Sequence, residues 1–266
     1  MTTIHMDCPY DKYRQRGSAS VLTERQQLLF IFVDDDGANG SWAPERRQSI
    51  EPHVDRAVRW LERKAHTFGV PLRFEHRFGP QNTTAQKVDI HICESDFAAG
   101  PHHATWQNQV AASIVERDGS VASVWEDLFS RHGLDVYKSD GQALLFGVRR
   151  YCPSVAFPFC DTQHPEFQKE RGIIYDLGAT FHGGEGQLYL DSQIAHELLH
   201  LYGAIDVDSV KFPADCDAVK DLVLKNCGPH EIMRKPTQHE IDKYEVSDLT
   251  AYLVGWLAAP PTWLQI

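Results

Sequence analysis

Five residues in the last third of this 266-residue chain carry side chains that could hold and use a metal ion. They form the pattern HExxHxxGxxD and are His196, Glu197, His200, Gly203 and Asp206. Residues four apart lie on one face of a helix, so the two histidines can direct imidazole nitrogens at one zinc ion while the glutamate stands beside it as a base. The pattern therefore indicates a hydrolytic site in which a metal activates water.

The residues after the second histidine are suited to supply a third ligand. A catalytic zinc keeps three protein ligands and one position for water, so two histidines leave one ligand missing. Gly203, three residues after His200, can end the helix in a left-handed conformation and return the chain toward the metal. Asp206 therefore completes the expected ligand set, and Asp208 and His230 are the next candidates for this position.

The flanks of the motif fit a mostly buried helix. Asp191 and Ser192 are the expected N-cap residues, because their side chains can accept hydrogen bonds from the first free N–H groups of a helix. Leu198, Leu199 and Tyr202 provide apolar cover on the faces turned away from the metal.

The pattern resembles that of the metzincin clan of zinc metallopeptidases, in which HExxHxxGxx is followed by His or Asp and then by a methionine in a tight turn beneath the metal. The Asp form is similar to small bacterial secreted metzincins of the snapalysin type. The resemblance implies an endopeptidase with one catalytic zinc ion and Glu197 as the general base, and it implies that Gly203 and Met233 support the site. Metzincins often carry a tyrosine two residues after the methionine, but here that position is Lys235.

The elements that must position this site begin with a sheet and a long helix. Residues 44–68 keep one apolar face and predict an amphipathic helix that ends at Gly69. Four ranges predicted as strands alternate between polar and apolar residues or form short apolar runs, and a fifth lies just before the helix that carries His196 and His200. The predicted strands are residues 27–33, 71–78, 87–93, 143–150 and 187–190.

The fold class expected from these elements is α+β. It combines a mixed twisted sheet, a long backing helix and the zinc helix with a small, mostly irregular C-terminal lobe that holds the methionine turn. A terminal helix, capped by Ser247 or Asp248, is predicted through Leu257. We expect one catalytic domain over residues 1–266, with subdomains over 1–203 and 204–266.

A segment over residues 97–140 does not fit this minimal plan. It predicts helices at residues 105–115 and 121–129, which either shape the substrate cleft or form a packed embellishment without a catalytic role. Residues 151–186 are predicted to be rich in loops. His182 in this segment is expected to be a solvated loop histidine, and a role as a ligand or substrate contact is the alternative. The residues that select the substrate are expected in loops over 207–245.

The composition and net charge indicate how large a core the chain can bury and which classes of partner are expected. The 266 residues, 42% of them hydrophobic, can bury an ample core without a second domain. The formal net charge of −11 argues against nucleic acid and is compatible with a neutral or cationic peptide or protein substrate. The N-terminal residues lack a signal-peptide pattern, and no stretch is long and apolar enough for a membrane span, so a cytoplasmic protein is expected.

The six cysteines are expected to be free thiols. A second, structural metal held by Cys216, Cys227 and His230 is the alternative, but the cysteines are far apart in sequence and form no CxxC pair. Calcium is not expected, because the acidic residues lack the spacing of a calcium loop. These acidic residues are Asp206, Asp208, Asp215 and Asp217.

Two other functions share the same motif. One is a protease toxin or defence effector that a partner protein regulates, and the other is a metzincin-like protein that only binds. Glu197 argues against the second, because a site without catalysis needs no base beside the metal.

Overall fold

A computed structural model defines the fold. The structure describes residue 14 and residues 21–34, 42–79, 105–149, 154–157, 169–176, 189–207, 217–234 and 239–264.

Five strands form one mixed sheet. They are β1 (Glu24–Val33), β2 (Leu72–Gly79), β3 (Gly141–Val148), β4 (Val155–Phe157) and β5 (Arg171–Tyr175). Their order across the sheet is β2-β1-β3-β5-β4. The first four in this order pair in parallel, and β4 pairs antiparallel with β5 at one edge.

Six α-helices accompany the sheet in the described part of the chain. They are α1 (Pro44–Thr67), α2 (Thr105–Val115), α3 (Trp125–Arg131), α4 (Leu190–Leu201), α5 (Asp217–Cys227) and α6 (Asp248–Leu253). Short 3-10 turns lie at Val136–Lys138, Ile241–Lys243 and Thr262–Leu264. The architecture is therefore α+β with a mixed sheet, as the sequence predicts. None of the described helices combines the length and apolar character needed to cross a bilayer.

The interior strand β1 is buried on both faces, because its alternate side chains enter two separate cores. The first core also contains residues of α1, α4 and the C-terminal segment, whose described residues are 217–234 and 239–264. The second core contains residues of α2 and α3. The β1 side chains in the first core are Leu28, Phe30 and Phe32. Those in the second core are Leu29, Ile31 and Val33.

The first core joins the two predicted subdomains. Trp60 of α1, Leu198 of α4 and Met233 of the C-terminal segment belong to one buried cluster. Lys64 at the end of α1 also forms an ion pair with Glu245 of the C-terminal segment. The C-terminal segment is thus attached to α1 and α4 by shared apolar packing, which stabilises far more than an exposed ion pair does.

The helical segment at residues 105–131 lies on the opposite sheet face from α4. The ring of Trp106 in α2 meets Phe146 of β3 edge-on, with 5.4 Å between ring centroids. In α3, Trp125 packs on Phe129, and both are buried in the second core. The helices α2 and α3 are therefore a packed layer behind the sheet.

The structure corrects two of the sequence predictions about strands and loops. Residues 155–157 and 171–175 are strands where loops are predicted, because a strand of three residues and a fully buried strand of five give little periodic signal in the sequence. Residues 189–190 are not a strand, since Leu190 is the first residue of α4. The predicted strand at residues 87–93 lies outside the described residues.

The C-terminal lobe is less irregular than predicted, because α5 lies within the range expected to form loops. The predicted cap of the terminal helix is confirmed, since the Ser247 side chain accepts a hydrogen bond from the Thr250 N–H. That helix ends at Leu253 rather than continuing to Leu257. Gly255 takes a left-handed conformation with φ 88° and turns the chain away.

Candidate metal centre

Helix α4 carries the motif in a buried position. Its first residue is Leu190, and its N-cap position lacks a side-chain hydrogen bond, so the predicted caps at Asp191 and Ser192 are wrong. Both side chains have tertiary partners instead. The Asp191 carboxylate pairs with Arg56 of α1 at 2.9 Å, and the Ser192 hydroxyl donates to the backbone carbonyl of His239.

The helix ends as the sequence predicts. Gly203 has φ 101°, its N–H donates to the carbonyl of His200, and the Ala204 N–H donates to the carbonyl of Leu199. These are the bonds of a left-handed helix end, which glycine adopts without strain. The reversal brings Asp206 next to the helix face that carries the histidines.

The three predicted ligand side chains lie together. Oδ1 of Asp206 is 3.2 Å from Nε2 of His196 and 3.4 Å from Nε2 of His200. The two Nε2 atoms are 3.0 Å apart. In the described part of the chain, this is the one group of three side chains that could hold a metal ion.

The backbone orients both imidazole rings. Nδ1 of His196 donates to the carbonyl of Ile232 at 3.0 Å, and Nδ1 of His200 donates to the carbonyl of Ala204 at 2.8 Å. A carbonyl can only accept, so each Nδ1 carries the hydrogen, and in the neutral ring the lone pair is on Nε2. Such outer contacts are typical of histidines that bind metals.

These donor positions fit a zinc ion. Two ligand atoms at about 2.0–2.1 Å from one tetrahedral zinc lie about 3.3 Å apart, close to the three separations found here. Two Nε2 lone pairs and a carboxylate oxygen also repel one another unless a cation or a proton lies among them. The geometry of the side chains therefore fits the metal that the motif indicates.

Without a metal, the charges of the group compensate one another. Burial favours the neutral form of His200, but the hydrogen bond and charge of Asp206 outweigh burial and raise the pKa of His200 to about 9. Burial opposes ionisation of Asp206 as well, yet the two neighbouring histidines hold the pKa of Asp206 well below its usual range. A proton on His200 thus serves as the cation of the metal-free site.

Glu197 lies in a buried environment that is suited to a general base. Its side chain is buried beside the ligands, with only 5% of the residue exposed. Burial raises the pKa of Glu197, and the neighbouring histidines partly oppose this rise. A carboxylate with a raised pKa takes up a proton more readily than an exposed one, as a general base near neutral pH requires.

Met233 lies in a turn that contacts His196, one of the three candidate ligands. The carbonyl of Glu231 accepts from the N–H of Arg234, which closes the turn, and the carbonyl of Met233 accepts from the N–H of Val207. The Met233 side chain is fully buried. The turn predicted at Met233 is therefore present, and its Ile232 carbonyl is the one that holds His196.

Sequence reasoning missed several parts of the site. The carbonyls of Ile232 and Ala204 have no side-chain signal that could reveal them. Glu231 is also unforeseen: its buried carboxylate accepts from the Ser247 N–H and the Thr250 hydroxyl and so ties the methionine turn to α6. Burial raises the pKa of Glu231 to about 7, although these hydrogen bonds act in the opposite direction.

Other candidate residues lie elsewhere or outside the described part. His230 is exposed, and its ring contacts His239 rather than the ligand group. Cys227 is a buried free thiol, and burial raises its pKa to about 12. Lys235 and the remaining candidates lie outside the described residues. These candidates are Asp208, Cys216, His182, Asp215 and the side chain of Asp217.

No protein-family model matches the chain, and no curated protein sequence matches it. The side chains of α4 and of the turn that follows are therefore what indicates a function.

Proposed function

We propose that this protein is a zinc-dependent endopeptidase of the metzincin type. The observation that carries the proposal is the convergence of His196, His200 and Asp206 on one point, with Glu197 buried beside them. A group of two imidazoles and one carboxylate is a ligand set that zinc accepts, and it leaves a fourth position for water.

His196, His200 and Asp206 would hold the ion, and their backbone partners keep the rings in place. Bound there, zinc would lower the pKa of water to about 7 and polarise the carbonyl of the bond to be cleaved. An aspartate ligand adds one negative charge to the site, which favours a divalent cation over an uncharged occupant.

Glu197 performs the proton transfers in this proposal. Its carboxylate accepts a proton from the attacking water and then delivers this proton to the nitrogen of the leaving amine. The burial that raises the pKa of Glu197 suits both steps, because the group must first gain and then lose a proton at the same pH.

The surrounding architecture supports the metzincin type. Helix α1 backs a sheet whose antiparallel edge strand is β4, and α4 ends at Gly203 so that Asp206 can return to the histidines. The buried turn at Met233 contacts His196 from the C-terminal side of the chain. The backing helix, the mixed sheet, the glycine end of α4 and the turn at Met233 are features that the resemblance of the motif implies.

The substrate class we propose is a peptide or protein that is neutral or cationic near the cleaved bond. Residues 191–266 contain 12 acidic and 6 basic side chains, so the part of the chain that carries the site is the more acidic part. A negative surface of this kind attracts cationic groups and repels nucleic acid.

Zinc content and peptide cleavage together test the proposal. The purified protein should bind about one zinc ion per chain and should cleave members of a mixed peptide library, as read by mass spectrometry. A chelator should abolish cleavage, and added zinc should restore it. Zinc binding without cleavage of any peptide would instead indicate a protein that only binds.

Two variants assign the roles. Glu197→Gln should retain zinc and lose cleavage by about 10²- to 10⁴-fold, because it removes the base and keeps the ligands. Asp206→Ala should lose both zinc and cleavage, whereas Asp221→Ala, which removes an exposed carboxylate of α5, should change neither. Full zinc content and full activity in Asp206→Ala would rule out the proposed ligand set.

A further inference from the structure

Gln193 shares the helix face that carries the candidate site. It precedes His196 by three residues, Glu197 by four and His200 by seven, and these spacings place all four side chains on one side of α4. Gln193 is 4% exposed. A polar side chain buried on this face needs an explanation, because most buried helix positions that only pack are apolar.

One end of the Gln193 amide is tied to the edge of the sheet. Its Nε2 donates to the hydroxyl oxygen of Ser154, which also accepts from the N–H of Tyr175 at 3.0 Å. Ser154 directly precedes β4, and Tyr175 ends β5. Gln193 therefore stands between the helix that carries the ligands and the antiparallel edge strand.

The other end of the amide is buried without a partner. Oε1 of Gln193 has no hydrogen-bond partner among the residues that the structure describes. Exchanging the positions of the amide nitrogen and oxygen would leave the nitrogen unpaired instead, so one polar atom lacks a partner in either orientation. A buried unpaired polar atom costs stability, and the side chains of Gln27 and Gln107 carry such an atom as well. Gln193 differs from these two glutamines because it lies on the helix face that carries the candidate ligands.

We propose that Gln193 is a substrate-binding residue, whose free amide atom forms a hydrogen bond with the backbone of a bound peptide close to the bond that is cleaved. The inference rests on the proposed peptidase function and adds a residue outside the ligand motif. In the orientation described, Oε1 accepts from a peptide N–H. Every peptide offers such a group, so the bond would align the substrate without reading its side chains.

A leucine at position 193 tests the inference, because it keeps a similar volume and removes the polar atoms. The probe is the library peptide that the wild-type protein cleaves fastest. Gln193→Leu should lower kcat/KM for this peptide about tenfold, as expected for one hydrogen bond to substrate. The affinity of the same peptide for Glu197→Gln, measured by calorimetry, should fall by a similar factor when Gln193→Leu is added.

Two further measurements separate substrate binding from a structural role. Gln193→Leu should retain about one zinc per chain and melt within about 3 °C of the wild type, since it removes an unpaired atom together with one hydrogen bond. The control is Gln107→Leu on α2. Gln107 is another fully buried glutamine with one unpaired amide atom, but its Oε1 accepts from the charged Arg171, and a hydrogen bond to a charged group contributes more stability. This control should lower the melting temperature and leave kcat/KM unchanged.

The outcomes distinguish this inference from the proposed function. If the wild type cleaves no peptide, the proposed function fails and the role of Gln193 fails with it. If the wild type cleaves but Gln193→Leu cleaves and binds the peptide equally well, only the role of Gln193 is overturned. It is also overturned if Gln193→Leu loses zinc and stability together, because that result would show a structural tether.

Discussion

The side chains of His200 and Asp206 are held so close that the metal-free protein retains a proton between them. The contact between the two side chains causes both pKa shifts. It raises the pKa of His200 to about 9 and lowers the pKa of Asp206. A metal ion that enters the site must displace this proton. Metal affinity is therefore linked to pH through one identified imidazole.

We expect the apparent zinc affinity to rise with pH between about pH 6 and 9, by up to about tenfold per unit, because fewer proteins then carry the competing proton. Competition with a coloured chelator measures this affinity. Calorimetry in two buffers of different ionisation enthalpy should report release of about one proton from His200 at pH 7. An affinity that does not change over this range would contradict the protonated pair.

Glu231 is the second titratable group with a specific consequence. Burial raises its pKa in the folded protein from the ordinary value of 4.5 to about 7, so the folded state binds its proton more tightly than the unfolded state does. The stability that this group contributes is therefore fully present below about pH 4.5, and it declines as the pH rises through about 7.

A comparison with Glu231→Gln isolates this effect. The free energy of unfolding of the metal-free wild type, minus that of Glu231→Gln, should decrease from pH 5 to pH 8 by at most about 1.4 kcal/mol per pH unit. Urea unfolding at each pH gives both values. Glu240→Gln, at an exposed glutamate in the same segment, is the control and should show no such trend. A difference that stays constant with pH would mean that Glu231 is not shifted.

At the scale of elements, the way in which α4 ends determines where the candidate ligand Asp206 lies. Gly203 has φ 101°, and the reversal there returns Asp206 to the histidines. Alanine is strained in this conformation, so a substitution acts on the helix end and on the ligand together.

Gly203→Ala should lower the free energy of unfolding by about 1–2 kcal/mol and weaken zinc binding by about tenfold or more, because Asp206 shifts from the ion. Gly69→Ala is the matched control. Gly69 follows α1 with φ 74°, and a Cβ atom there would meet nothing within 4 Å. It should cost similar stability and leave zinc binding unchanged. Equal zinc affinities in the two variants would show that the reversal does not position the ligand.

At the scale of the whole molecule, the sheet separates two cores with different tasks. The core on one face contains α4 and the C-terminal turn, so it holds the site together. The core on the other face contains α2 and α3 and supports the sheet from behind. Damage to the second core should therefore affect stability much more than chemistry.

Phe146→Ala tests this separation, because Phe146 is fully buried in the second core against Trp106. The variant should lose about 3–5 kcal/mol of unfolding free energy in denaturant unfolding. At a temperature where it is still folded, its zinc affinity should equal that of the wild type. A parallel loss of zinc affinity would show that the two faces of the sheet act as one unit.

The sequence by itself determined those features that depend on neighbours within about two turns of a helix. The spacing of His196 and His200 and the glycine that follows already place three side chains together, since local helix geometry requires it. The same holds for the apolar face of α1 and for the helix α2, both of which have clear periodicity.

Only the tertiary structure decided which distant groups complete the site. The carbonyl of Ile232 accepts a hydrogen bond from His196, although the two residues are 36 positions apart in the sequence. The carbonyl is a backbone group that every residue has, so no residue type in the sequence predicts this contact. The short strands β4 and β5 form because neighbouring strands pair with them, and the burial of Glu231 and Gln193 follows from packing. Contacts between segments far apart in sequence set these features, and local patterns do not encode such contacts.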